Sequence, residues 1–325
     1  MKIDGILKAI MGALFIVVLS LTVAVAAEEP YPSKSINIVN PWGPGGSADL
    51  GYRPIIDVLP DYLGQKLIML YKTGGGTAIG GLFAAKAKPD GYTLYAATTS
   101  TLVLAPAIRD LAFSLDDFVC MGIFSKASVG LAVAADSPWK TLGDLVADAK
   151  KSPGKYKYAT PGVGALPHFL VEFFNRKAGI NTVVMPVKSD AEVVTSLLGG
   201  HVAFGTLIDT SAVVHVASGK VRLLATLDST RSKFFPDVPT GKELGYDVEG
   251  PILCGLAAPK GTPKAVIDKV YGAMKKAFDD KKLQPLVEKS GWTPILMTPE
   301  EMDKRFRQEA AFYSKLAKEL GIEIK

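Results

Sequence analysis

Short apolar runs alternate with amphipathic stretches along almost the whole chain, and that alternation constrains the fold more than any other feature. Ten runs read as strands: "SINIVN", "KLIMLYK", "GYTLYAATT", "FVCMGIF", "VGLAVAA", "YKYAT", "TVVMPV", "HVAFGTLI", "VRLLATL" and "ILCGLAAP". Between them lie helical patterns such as "TLGDLVADAKKS", "LPHFLVEFFNRKAG", "AEVVTSLLGG" and "SAVVHVASG". Strand, helix, strand favours parallel pairing with helices on the sheet faces, and ligands then gather at the strand C-termini. The expectation is an α/β protein with largely parallel sheets. Helix takes over near the C-terminus, at 263–280 and 298–320, the latter opening on a capping box at Thr298-Pro299-Glu300-Glu301. No repeat, low-complexity tract or Gly/Ser linker breaks the pattern, so two lobes would be joined by crossing strands and not by a tether.

The 325 residues, 48% hydrophobic and 21% charged, suffice for two lobes with a core in each. Lys2 and Lys8 precede an apolar run from Met11 to Ala27 that ends in "TVAVAAEEP". A basic start, an apolar middle and a small-residue exit predict a cleaved signal peptide over 1–27 and an exported mature chain. An uncleaved anchor is the alternative, for which the run is short. The net charge of +5 is spread along the chain without interleaved aromatics, which disfavours a nucleic-acid partner. Cys120 and Cys254 both sit in strand-like runs and read as small buried hydrophobes, with a bridge open only if the strands are neighbours.

Three segments place glycines between a strand and a helix: "PWGPGGSAD" (41–49), "YKTGGGTAIGG" (71–81) and "YATPGVGALPH" (158–168). One such loop is an ordinary permissive turn. Three in one chain point to an anion site built from backbone N–H groups. Nucleotide motifs do not fit, because Ile79 stands where Gly-x-Gly-x-x-Gly needs its third glycine and Gly80-Gly81-Leu82 lacks the lysine of a phosphate loop. There is no Gly-x-Ser-x-Gly, and neither cysteine has a nearby histidine. His168, His201 and His215 show no metal spacing; His168 and Glu172 share a helix face, and His168 is expected to bond locally at the helix start. Catalysis has no visible machinery, and neither a cofactor nor a metal is expected.

The ordered segments "NPWGPGGSADL", "KPDGYTLYAATTS", "ATPGVGALPHFLVEFF", "SLLGGHVAF", "SGKVRLLATLDSTRSKFFPDVPTGKELGY" and "GLAAPKGTPKAVIDKV" resemble the Bug family, the extracytoplasmic solute receptors of tripartite tricarboxylate transporters. The resemblance implies a type II periplasmic-binding-protein fold: two α/β lobes, a hinge and an interlobe ligand cleft. Lobe 1 is expected at 28–127 plus 251–325 and lobe 2 at 128–250. It implies a monomeric periplasmic protein, not an enzyme, that takes a small organic carboxylate (a di- or tricarboxylate or an aromatic acid) to transporter membrane subunits. The competing outputs are presentation of the same anion to a membrane sensor and, with least support, exported hydrolysis.

The implied carboxylate clamp has two halves. Gly45, Gly46, Ser47 and Asp49 form one; Thr160, Gly162, Val163, Gly164 and Ala165 form the other, with His168 at the same helix start. Thr99, Ser100 and Thr101 would add hydroxyls near the hinge. Trp42 either covers the apolar part of the ligand or packs beneath its loop. Three departures stand out: Lys188 is followed by Ser189 and Asp190 where relatives have Lys-Gly, Gly-Gln-Val-Asp becomes Gly200-His201-Val202-Ala203, and an acidic or amide pair is replaced by Leu207 and Ile208. In that register the lobe-2 wall is expected to be less acidic than in receptors that grip an ammonium group, and the ligand a plain or extended carboxylate with an apolar or aromatic body sooner than an amino acid. An offset of two residues would return Asp209 to the wall and the ligand set.

Overall fold

The computed structural model describes residues 30–322. The expected signal peptide and its cleavage site lie outside them, and the fold belongs to the unit that begins at Lys34. Its strands are β1 (Ile36–Asn40), β2 (Leu67–Tyr71), β3 (Thr93–Thr98), β4 (Phe118–Ala127), β5 (Val129–Ala134), β6 (Lys157–Pro161), β7 (Val183–Val187), β8 (Phe204–Ile208), β9 (Val221–Thr226), β10 (Ile252–Pro259) and β11 (Thr293–Met297). The helices longer than one turn are α1 (Ser47–Val58), α2 (Ala78–Ala85), α3 (Leu142–Lys151), α4 (Leu166–Ala178), α5 (Asp190–Leu198), α6 (Asp209–Ala217), α7 (Lys264–Asp279), α8 (Leu283–Lys289) and α9 (Pro299–Leu320).

The strands form two sheets, in the orders β11-β4-β10-β3-β1-β2 and β7-β6-β8-β5-β9. All ten strand-like runs became strands, but the sheets are mixed and not largely parallel. β1 lies parallel to β2 and β3, and β6 parallel to β7 and β8, as strand–helix–strand units require. β10 runs antiparallel to β3 and β4, β11 antiparallel to β4, and β5 antiparallel to β8 and β9. Both reversals come where the chain passes between sheets. β4 ends at Ala127 in the first sheet and β5 begins at Val129 in the second, with only Ser128 between them; β10 brings the chain back.

Ile36, Ile38 and Val39 in β1 and all of β8, with Phe204 among them, are buried. That is why these runs read as continuously apolar. α9 starts as its sequence dictates, with Thr298 accepting from Glu301 N–H and Glu301 accepting from Thr298 N–H. It packs against β4, and edge-to-face contacts of Tyr313 with Phe169 (5.6 Å) and Phe312 with Phe173 (5.8 Å) also fasten it to α4. α9 therefore braces elements of both sheets. Cys120 and Cys254 lie on adjacent strands as free buried thiols, each register-paired with another residue.

Candidate functional site

The first glycine loop is held from below by Asp49. Its carboxylate is almost closed to solvent and accepts from Gly45 N–H (2.9 Å), Tyr71 O–H (2.7 Å) and Arg53 Nη2 (3.0 Å). Burial opposes its charge, but these three donors together outweigh it and hold the pKa below the ordinary value of 3.8. Gly45 sits at φ +77°, a conformation that lets the loop fold back onto Asp49. At the loop's entry, Asn40 Oδ1 accepts from Trp42 N–H (2.9 Å), while Asn40 Nδ2 is buried with no partner among the described residues. Trp42 itself is half-buried. Leu50 N–H is the first amide of α1 to bond back along the helix, to Gly46 O (3.0 Å), so those of Ser47, Ala48 and Asp49 precede its ladder. No side chain among the described residues caps that end.

The loop before α4 has the same design. Gly162 and Gly164 both have φ of +78°, and Gly162 N–H is anchored to Val187 O (3.0 Å). Ala165 is an N-cap without a side-chain bond among the described residues, whereas α3, α5 and α9 are capped by Thr141, Ser189 and Thr298. His168 is buried and Nδ1 accepts from Gly164 N–H (3.4 Å); burial lowers its pKa against the pull of Glu172, which suits a neutral acceptor. Glu172 takes the Tyr158 hydroxyl. No group of His, Cys, Asp or Glu among the described residues is arranged to hold a metal. Thr160 is fully buried and accepts from the Thr206 hydroxyl (3.0 Å), and Val163 is exposed at the loop tip.

Contacts between the two sides of the molecule meet at these loops. Thr210 Oγ1 donates to Ser47 Oγ (3.2 Å), joining the starts of α6 and α1. Arg109 donates from Nη1 to Gly76 O (3.1 Å) and Gly75 O (3.4 Å), and from Nη2 to Val163 O (3.4 Å). The guanidinium thus pins the second glycine loop to the third. Sequence inspection missed Arg109, which stands in no motif and acts through backbone carbonyls.

Other expected site residues serve the crossings between sheets. Thr99 Oγ1 donates to Pro251 O (3.4 Å) and accepts from Leu253 N–H (3.2 Å), while Thr101 and Thr98 cap one another; Ser100 is half-buried between them. The Thr99 hydroxyl is committed to the strand that returns the chain, and the Thr101 hydroxyl to the end of β3, where it donates to Ala96 O (3.3 Å). Asp209 is buried and accepts from Ser128 N–H (2.9 Å) and Ser232 Oγ (3.0 Å), bracing the outward crossing; burial pushes its carboxyl up to about 6. The acid found beside Ser47 is Asp190, the first residue of α5. Burial pushes it up to about 7, against the pull of the Ile208 backbone and the Ser47 hydroxyl. The wall opposite Ser47 therefore carries an acid.

Comparison with known proteins agrees with this architecture. A family model described as "Tripartite tricarboxylate transporter family receptor" matches residues 52–322. The chain is 31% identical to protein BugT of Bordetella pertussis over 98% of both chains. It superposes on a solved structure described as a periplasmic transporter with a TM-score of 0.82 at 33% identity, over 91% of this chain and 100% of that one. Its fold is also that of MatC from Rhodopseudomonas palustris with bound malate, at 23% identity and a TM-score of 0.77 over 88% and 99% of the two chains.

Proposed function

The chain belongs to the tripartite tricarboxylate transporter receptor family, whose members are periplasmic binding receptors and not enzymes, and from that premise we propose that it captures a small organic carboxylate and passes it to transporter membrane subunits. One observation carries the reading. Two helices, α1 and α4, begin after glycine-bent loops with no side-chain cap among the described residues, and both loops lie where the two sides of the molecule meet. An uncapped helix start offers unpaired N–H donors and a favourable field to an anion, worth about 0.3–2 kcal/mol per end. The N–H groups of Gly46, Ser47 and Ala48 would supply one set of donors and those of Val163 and Ala165 the other, while Gly45, Gly162 and Gly164, whose N–H groups go to Asp49, Val187 O and His168, shape the two loops. Asp49 and His168 act by holding those loops, and Trp42 covers the ligand's carbon body. The two lobes, 28–127 plus 251–325 and 128–250, would close over the ligand by rotation at the crossings, as binding shifts the population toward the closed form. A signal peptide over 1–27 would deliver the chain to the periplasm.

A thermal-shift screen of the mature protein against di- and tricarboxylates, aromatic, fatty, keto and amino acids tests this. A ligand at 100 times its Kd adds about 2.7 kcal/mol of stability. Stabilisation by one acid class, lost with its amide or ester, is the expected result. Silence across carboxylates with a response to sugars, amines or metals would mean the glycine loops are structural only.

A further inference from the structure

The wall opposite the first glycine loop contains a group that a purely anionic ligand would not call for. Asp190 opens α5, and its carboxyl lies against Ser47, the first residue of the uncapped helix α1. Thr210 reaches the same Ser47 hydroxyl from the start of α6. Three helix starts thus converge, and an acid stands among them. Asp190 Oδ2 is buried and has no hydrogen-bond partner among the described residues. A buried acceptor without a donor is costly, and a carboxylate there repels a second one brought by the ligand. A donor on the ligand removes both penalties at once.

We propose that Asp190 reads the ligand: Oδ2 accepts a hydrogen bond from a hydroxyl or ammonium group that the bound acid carries in addition to its carboxylate. The inference rests on the carboxylate-receptor reading and narrows it to hydroxy or amino acids. Helix starts and glycine amides hold the ligand's negative end, and Asp190 discriminates at the other. A hydroxyl on the ligand leaves the pair neutral if Asp190 is protonated and charge-assisted if it is not. Burial pushes the carboxyl up, which favours the neutral form that pairs with a hydroxyl.

The test is calorimetry on matched acids that differ by one donor: malate and aspartate against succinate, 2-hydroxyglutarate against glutarate, mandelate against phenylacetate. Wild-type protein should bind at least one donor-bearing acid about tenfold to a hundredfold more tightly than its partner. Asp190→Ala should reduce that ratio to within about threefold, chiefly by weakening the donor-bearing acid. Asp190→Asn, which preserves shape, should retain part of the preference for hydroxyl and lose that for ammonium. Circular dichroism of both variants confirms that they fold. A wild-type preference for the acids lacking a donor, or a preference that survives Asp190→Ala, overturns the inference while leaving carboxylate binding in place. Absence of binding by every carboxylic acid, in this set and in the screen, overturns both.

Discussion

Replacing Asp49 by alanine separates two views of the first glycine loop. If the carboxylate merely adds negative charge near an anion site, its removal should tighten binding of an acid. If it positions the loop, removal should weaken binding. Three bonds are lost: from Gly45 N–H, Tyr71 O–H and Arg53. The Arg53 side chain is half exposed, so that ion pair adds little, while the other two are charge-assisted bonds to a buried carboxylate. Together they amount to ~3–6 kcal/mol of stability. Urea titration of wild type, Asp49→Asn and Asp49→Ala should give losses in that order, with asparagine retaining one acceptor. Because the folded pKa of Asp49 is depressed, its contribution is present above the ordinary 3.8 and is lost as pH falls through the folded value. The gap between wild type and Asp49→Ala should therefore narrow below about pH 4. Calorimetry with the best acid from the screen should show affinity lowered by about tenfold, as the loop amides lose alignment. Unchanged or tighter binding by Asp49→Ala would refute the positioning role.

Other substitutions probe different parts of the account. A Cβ at Gly51 would fall 2.8 Å from Trp292 Cε2 in a packed interface, so Gly51→Ala should cost about 1–3 kcal/mol in urea titration despite alanine's higher helix propensity; a stabilised variant would contradict the packing. Arg109→Ala removes the bridge between Gly75, Gly76 and Val163 and should widen the distance between spin labels on the two sides of the ligand-free protein; identical distance distributions would show that Arg109 holds nothing closed. Burial raises the folded pKa of Asp209 to about 6, so its cost sets in as pH rises from near 4 through 6. Asp209→Asn should gain stability relative to wild type across that window, and a pH-independent difference would rule the shift out.

The sequence revealed what depends on local pattern. The strand runs, the capped start of α9, and the glycine loops were visible because burial, capping and turn chemistry act over a few residues. β11 was missed: "TPILM" is half-buried at every position, includes Pro294 and pairs with β4 through a register shift, so neither alternation nor continuous apolarity marks it. Strand direction escaped for a different reason. Nothing within β5 or β10 records which neighbour it pairs with, and both turn antiparallel because the chain crosses between sheets there. At the site, the loops were legible and their side-chain partners were not. Asp190 was noticed as a departure, but only the folded chain brings it to Ser47, 143 positions earlier in the numbering. Asp209, the acid weighed for that wall, turns out to be consumed by Ser128 and Ser232.

The central claim is that backbone amides at the starts of α1 and α4 hold the ligand's carboxylate. Amide NMR of 15N-labelled protein, titrated with the tightest-binding acid and then with its primary amide, examines those groups directly. The acid should shift the resonances of Gly46, Ser47, Ala48, Val163 and Ala165 strongly downfield as their N–H groups gain a charged acceptor, while the amide leaves them nearly unmoved. Saturable binding of the acid with those five resonances unmoved would place the carboxylate elsewhere and contradict the account.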